Sequence, residues 1–180
     1  MSPLAPSIDT LVSLFFADSA ELGQFEPVQG TQMPADYQTL LAHKNHMTVT
    51  VEQFHGSPVN VRVLETMRTG RHYARKILLA RASDNRVVQF GLVRIDFNYL
   101  SDVVRREIES QNTPLGRILI HHDVLREVQL FQLYRIVAGL ELQQHFSLPG
   151  PLTTYGRTAM IYCDHEPAIE LLEIVAPVSQ

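Results

Sequence analysis

Alternation of apolar and polar residues is the clearest pattern in this chain, and it predicts β-strands. In a strand every second side chain points to the same face, so alternation marks a sheet that is buried on one side. Short turn segments rich in Gly, Pro, Asn and Asp join these runs in pairs, as in β-hairpins. Three hairpins are predicted, pairing 48–54 with 59–67, 71–81 with 87–97, and 155–163 with 168–176.

Apolar residues spaced three and four apart predict helices in the remaining segments. These segments are 8–17, 34–43, 101–109, the stretch that begins at Thr113, and 123–138. Residues 23–33 are rich in Gly, Pro and Gln and predict a loop. The expected fold class is α+β, with a six-stranded antiparallel sheet of three hairpins and helices packed on it. We expect a single domain over residues 1–180, with residues 1–30 as an N-terminal extension of uncertain structure.

The stretch from Thr113 to Gly116 predicts a helix start that could hold an anion. Thr113 suits the N-cap, and Pro114 suits the first helical position, where its missing N–H costs nothing. The amides of Leu115 and Gly116 would then lack partners at the positive end of the helix, where a carboxylate or phosphate binds well. An ordinary capped helix with its free amides in water is the alternative.

Two charged residues fall on apolar strand faces. Arg75 alternates with Tyr73, Ile77 and Leu79, and Glu173 alternates with Ile169, Leu171 and Val175. A guanidinium removed from water needs an anion, and a carboxylate in apolar surroundings would have a raised pKa suited to proton chemistry. Arg75 could therefore pair with Glu173 in a purely structural ion pair, or it could meet a ligand.

Composition and charge exclude several classes of protein. The 180 residues carry a net charge of −4, and the arginines are scattered, so no nucleic-acid surface is expected. Cys163 is the only cysteine, which fits a reducing compartment such as the cytoplasm. The apolar run 11–17 is too short for a membrane span and lacks the basic flank of a signal peptide.

The histidines do not predict a metal site. His43 and His46 are three residues apart with no third ligand linked to them in sequence, and His121 and His122 are adjacent and so point to different sides. No cofactor or metal is expected. Motifs for a hydrolase nucleophile, a phosphate-binding loop or a zinc protease are also missing from the sequence.

Several short motifs together resemble the chorismate pyruvate-lyase family, also called 4-hydroxybenzoate synthases. They occur in the same order and with roughly the same spacing, over about residues 34–177. These motifs are Arg75-Lys76-Ile77-Leu78-Leu79, Thr113-Pro114-Leu115-Gly116-Arg117, Gly156-Arg157, Glu166-Pro167 and Glu173-Ile174-Val175-Ala176-Pro177. The resemblance implies a chorismate lyase-like fold, with an internal site covered by two helical flaps.

The resemblance also implies a set of site residues. Arg75 would bind the ring carboxylate, helped by the backbone amides of Met47 and Leu115, with Gly116 beside them. Glu173 would meet the ring hydroxyl at the other end. A second arginine of some family members falls nearest Leu92, and Arg94, on the same face, is the expected substitute. The segment before Glu173 is one residue longer than in the family, which predicts a β-bulge or moves Glu173 to the wrong face.

The activity implied by the resemblance is a cofactor-free lyase reaction. Chorismate would lose pyruvate to give 4-hydroxybenzoate, a step towards quinone or phenolic products, with Arg75 and Glu173 as catalytic residues. A non-catalytic, ligand-sensing domain of the same fold is the alternative, and a purely structural protein is a third. The residues before Pro34 are too few and too acidic for a winged helix, so sensing would need a separate partner. We expect a monomer or a small homo-oligomer.

Overall fold

The computed structural model describes residues 5–178 as six α-helices, three short 3₁₀ turns and seven strands. Residues 1–4 and 179–180, which belong to the predicted domain, lie outside the described part. The helices are α1 Ile8–Ser13, α2 Ala35–Leu41, α3 Met47–His55, α4 Asp102–Ser110, α5 Leu115–His121 and α6 Leu140–His145. The strands are β1 Gly23–Val28, β2 Val59–Thr69, β3 His72–Arg81, β4 Val87–Asp96, β5 Arg126–Ala138, β6 Thr153–Cys163 and β7 Glu166–Val175.

All seven strands form one antiparallel sheet in the order β1-β5-β6-β7-β4-β3-β2. The α+β class is therefore confirmed, although the sheet has seven strands and not six. The hairpins 71–81 with 87–97 and 155–163 with 168–176 are confirmed as β3–β4 and β6–β7. The helices predicted at 34–43 and 101–109 are present as α2 and α4, and Ser101 caps α4 as expected.

Each face of the sheet carries its own apolar core. On one face, helices α2 to α5 cover a core that includes Ile77, Leu79 and Leu171. On the other face, α1 and α6 cover a second core that includes Leu78 and Leu172. Neighbouring residues of β3 and β7 thus contribute to opposite cores, as strand alternation requires. The two cores place α3 and α5 over the face that carries Arg75.

Three predicted elements are wrong. Residues 23–33 contain strand β1 at the edge of the sheet, where Pro27 is tolerated because an edge strand leaves some N–H positions unpaired. Segment 48–54 is helix α3, so β2 pairs only with β3. Segment 123–138 is mostly strand β5. The start of α5 is shifted by one residue, because Pro114 and not Thr113 occupies the N-cap.

No helix in the part of the chain that the structure describes is long and apolar enough to cross a membrane.

Candidate ligand-binding site

A cavity lies between the sheet and the first turns of α3 and α5. The space within it that a water-sized sphere can occupy is about 40 Å³. Its apolar walls come from both the strands and the helices. They include Met47, Val61, Ile77, Leu79, Val93, Leu115, Ile161 and Leu171. The polar side chains that face it are His46, Thr48, Arg75, Gln89 and Glu173.

Five of the six predicted site residues line this one cavity. Arg75 and Glu173 come from the sheet, and Met47, Leu115 and Gly116 come from the two helix starts. The extra residue before Glu173 forms a bulge, because the β6–β7 register shifts between Ile161 and Tyr162. Beyond the bulge the alternation resumes and Glu173 faces the cavity.

Arg94 is the exception, and its predicted place in the site is wrong. Its neighbour in the register of β7 is Glu170, and the two side chains form an ion pair on the other face of the sheet. Because strand residues alternate, the residue that faces the cavity there is Val93. The resemblance pointed to Leu92, which lies on the same face as Arg94, away from the cavity, so neither position supplies a second arginine.

Arg75 is almost completely buried and poorly satisfied. Its side chain is 1% exposed. The only hydrogen bond it makes within residues 5–178 is a long one, in which Nη1 donates to the carbonyl oxygen of Ile108 at 3.4 Å, and Nε has no partner. Burial lowers the pKa of the guanidinium, and nearby Tyr73 opposes that change. A buried cation with so few partners is costly, which makes this end of the cavity attractive to an anion.

Glu173 does not neutralise Arg75, because it is paired with Arg157. In the sheet register Arg157 of β6 lies opposite Glu173, and its Nε donates to Oε2 at 2.7 Å. Its remaining donors reach carbonyl oxygens at the end of α2 and in the link to α3. These are His43 at 2.9 Å, Asn45 at 3.0 Å and Leu41 at 3.4 Å. The cavity therefore keeps one uncompensated positive charge, that of Arg75.

Sequence reasoning missed the role of Arg157, although a signal for it was present. The segment 155–163 was predicted to be a strand, and alternation places Arg157 with Tyr155 and Ala159 on the inward face. This is the same pattern that singled out Arg75. Applied to β6, it would have found a second buried arginine and a competitor for Glu173.

The starts of α3 and α5 meet at Gly116. A Cβ atom there would lie 3.0 Å from Thr48 Oγ1 and 3.1 Å from His46 Cβ, so only glycine lets the two helix starts approach this closely. Neither helix has a side-chain N-cap hydrogen bond. The first amides of a helix have no partner within it, so these uncapped turns leave N–H groups beside the cavity.

His46 forms the wall between this cavity and a groove on the surface. The groove is bordered by Lys44, Val124 and Arg126 among others. Arg126 Nε donates to His46 Nε2 at 2.8 Å, which requires that nitrogen to be unprotonated. Burial, together with the charges of Arg126 and Arg157, lowers the pKa of His46 to about 4. His46 is therefore neutral near pH 7 and adds no charge to the site.

The described residues include no cluster of three His, Cys, Asp or Glu side chains that could hold a metal ion. His43 Nε2 donates to the carbonyl oxygen of Leu40, and His122 pairs with Glu107. Cys163 is buried, and burial raises the pKa of its thiol to about 12, so it is a poor nucleophile.

Comparison with known proteins identifies the fold. No protein-family model matches the sequence, and a search of curated proteins gives no match. The effector domain of PhnF from Mycobacterium smegmatis superposes with a TM-score of 0.52 at 7% identity, over 73% of this chain and 88% of that one. A longer PhnF structure gives 0.51 at 7% identity, over 73% and 64%. The ligand-binding domain of a Bordetella bronchiseptica protein described as a GntR-family transcriptional regulator gives 0.47 at 10%, over 68% and 92%.

These matches show the chorismate lyase-like fold and correct the predicted activity. The neighbours with TM-scores above 0.5 are the effector domain of PhnF and a longer PhnF structure, and neither is described as an enzyme. The comparisons therefore overturn the prediction of a carbon–oxygen lyase. The catalytic roles given to Arg75 and Glu173, and the link to quinone biosynthesis, lose their support with it. The positions of the two side chains in the cavity are unaffected.

Proposed function

We propose that this chain is a ligand-binding domain that recognises a small organic anion, with an aromatic carboxylate as the best-fitting class, and does not transform it. The observation that carries the proposal is Arg75: a guanidinium that is 1% exposed, lines a cavity, and has no carboxylate partner among the described residues. An anionic ligand would supply that partner. The resemblance of the fold to effector domains agrees with binding without turnover.

The arrangement of polar groups favours a carboxylate at one end of the ligand and a hydrogen-bond donor at the other. In the sheet register, Arg75 lies beside Val93, and Glu173 lies beside Gly91, two residues along β4. That offset is about 7 Å along the strand, which is comparable with the length of a substituted six-membered ring. Glu173 keeps an acceptor oxygen besides the one bound by Arg157. A ring hydroxyl could donate to it.

Two further features support anion binding. The starts of α3 and α5 line the cavity and lack side-chain caps, and the positive end of a helix favours negative charge. The Arg157–Glu173 pair and neutral His46 contribute no net charge. The site as a whole therefore favours a monoanion. A dianion would leave one charge without a partner in an apolar cavity.

The test is ligand-induced stabilisation measured by thermal unfolding. Benzoate and 4-hydroxybenzoate should raise the Tm of the protein, and uncharged benzamide should not. Saturation at 100 times the Kd adds about 2.7 kcal/mol to the free energy of unfolding. The Arg75→Met variant should unfold normally but show no response to either acid. Arg135→Met removes an arginine that is half exposed on β5 and serves as the matched control.

The proposal fails if benzoates stabilise Arg75→Met as strongly as the unmodified protein, because binding would then occur elsewhere. It also fails if no carboxylate of this class shifts the Tm at millimolar concentration.

A further inference from the structure

Gln89 is a second buried polar group in the same cavity, and neither the sequence motifs nor the proposed function accounts for it. It lies on β4, its side chain is 3% exposed, and it lines the cavity with Arg75 and Glu173. Its Oε1 atom is buried and has no hydrogen-bond partner within the described residues. Leaving such an atom unpaired costs about 1–3 kcal/mol.

The sheet register places Gln89 beyond Glu173, on the side away from Arg75. Gln89 lies opposite Leu79 on β3 and Val175 on β7, whereas the residue beside Arg75 is Val93. Four residues of an antiparallel strand span about 13 Å, and Gly91, beside Glu173, lies halfway. A single ring held by Arg75 and Glu173 would therefore not reach Gln89.

Gly91 lies between the two levels and lines the cavity. A Cβ atom at Gly91 would lie 3.2 Å from the side chain of Ile77, on the floor of the cavity. Arg75, Gly91 and Gln89 line the same cavity, so the two levels belong to one site. Around Gln89 the other lining side chains are apolar, among them Val61 and Leu79. A leucine would suit these surroundings better than an unpaired amide.

We propose that Gln89 determines ligand specificity, selecting anions that extend past the first ring and end in a hydroxyl or amide group. This inference rests on the proposed function and narrows its ligand class. The ligand has a carboxylate at Arg75, an apolar middle, and a terminal polar group at Gln89. A hydroxyl suits either orientation of the Gln89 amide, because it can donate to the oxygen or accept from the nitrogen. The matching hydrogen bond gives discrimination, since an apolar end would leave the amide unpaired.

The test compares two ligands of equal size by calorimetry. They are 4-(2-hydroxyethyl)benzoate and 4-propylbenzoate, which differ only in a terminal hydroxyl or methyl group, with benzoate as the short reference. The unmodified protein should bind the hydroxyl compound at least tenfold more tightly than the propyl compound. In Gln89→Leu this preference should disappear or reverse, while the Kd for benzoate stays within twofold. Gln24→Leu, an exposed glutamine on β1, is the matched control and should keep the preference.

The outcomes separate this inference from the proposed function. Equal binding of the two extended compounds by the unmodified protein overturns the role of Gln89 and needs no variant. A preference that survives in Gln89→Leu, or in Gln89→Met if the leucine variant does not fold, also overturns it. Benzoate binding that depends on Arg75 would leave the proposed function intact in both cases. Failure of all three acids to bind overturns the function and the inference together.

Discussion

Arg75 and Arg157 occupy equivalent surroundings but have very different partners. Both lie on the same face of one sheet, and they are the two largest side chains in the structure that are below 2% exposed. Arg157 has a carboxylate at 2.7 Å and donates to three backbone carbonyls. Arg75 has one long hydrogen bond and an unpaired Nε. Equal burial therefore does not imply an equal role.

The difference shows what each arginine contributes. A buried cation whose donors are satisfied by the protein stabilises the fold as found. A buried cation whose donors are free raises the free energy of the unliganded protein, and that cost is recovered when an anion binds. We therefore propose that Arg157 belongs to the scaffold and Arg75 to the ligand site. The following measurements test this division.

Arg157→Leu should have the largest effect on stability. It leaves Glu173 as a buried carboxylate without its partner, and three carbonyls lose a donor, so the free energy of unfolding should fall by about 3–5 kcal/mol. Urea denaturation measures this. Arg157→Leu combined with Glu173→Leu should recover much of the loss, since no charge is then left unpaired. A single variant as stable as the original would show that the pair is not part of the scaffold.

Lowering the pH should destabilise the protein through His46, which lies near Arg157. Its folded-state pKa of about 4 is below the ordinary value of 6.5, so the unfolded chain takes up the proton first. Stability is then greatest above pH 6.5 and is lost as the pH falls towards 4, by up to roughly 3 kcal/mol. Urea denaturation at pH 7, 5.5 and 4.5 should show this slope, and His46→Gln should reduce it. An identical slope in the variant would assign the effect to other groups.

Arg75→Met should act on unliganded stability in the opposite sense to Arg157→Leu. The variant removes a buried charge that lacks a carboxylate, and methionine keeps an unbranched, flexible side chain there. The free energy of unfolding should stay the same or rise by about 1 kcal/mol. A loss comparable with that of Arg157→Leu would place Arg75 in the scaffold after all.

Arg135→Met should have the smallest effect. Arg135 pairs with Glu26 at the edge of the sheet, but the two side chains are 51% and 60% exposed. Exposed pairs contribute little, so the change should be below about 0.5 kcal/mol. This variant measures what the loss of an arginine costs when burial is absent. A large loss would mean that the effect of Arg157→Leu cannot be attributed to burial.

The alternation of apolar and polar residues predicted strands and their faces correctly where a strand is regular, and it failed where a bulge interrupts the strand. It placed Arg75 and Glu173 correctly, because β3 runs without a bulge around Arg75 and the bulge of β7 precedes Glu173. In β5 a register shift between Leu130 and Gln132 interrupts the alternation, and the remaining apolar spacing fitted a helix. The aromatic and β-branched content of that segment was the better indicator.

Segment 48–54 was predicted to be a strand, although its composition and the glycine that follows it are compatible with a strand or a helix. Thr48 to Val51 is β-branched, which favours a strand, but Met47, Thr48 and Val51 are buried together with the spacing of a helix. Gly56, interpreted as a hairpin turn, has φ of +61° and caps α3 at its C-terminus. Contacts with α5 and the sheet, which are distant in sequence, decide between the two.

The pairing of the charged side chains within the site was the least predictable part. The sequence placed a cation and an acid in the cavity and left open whether they pair with each other. That depends on which strand lies beside β7, and β6 and β4 both do. Only the register shows that Arg157 faces Glu173 while Arg75 does not.

The three carbonyls bound by Arg157 have a mechanical consequence. They belong to Leu41, the last residue of α2, and to His43 and Asn45 in the link that joins α2 to α3. The Arg157 guanidinium on the sheet thus anchors the chain immediately before Met47. The amides at the start of α3 are therefore positioned before a ligand binds. Preorganisation of this kind spares the entropy of ordering a loop at the moment of capture.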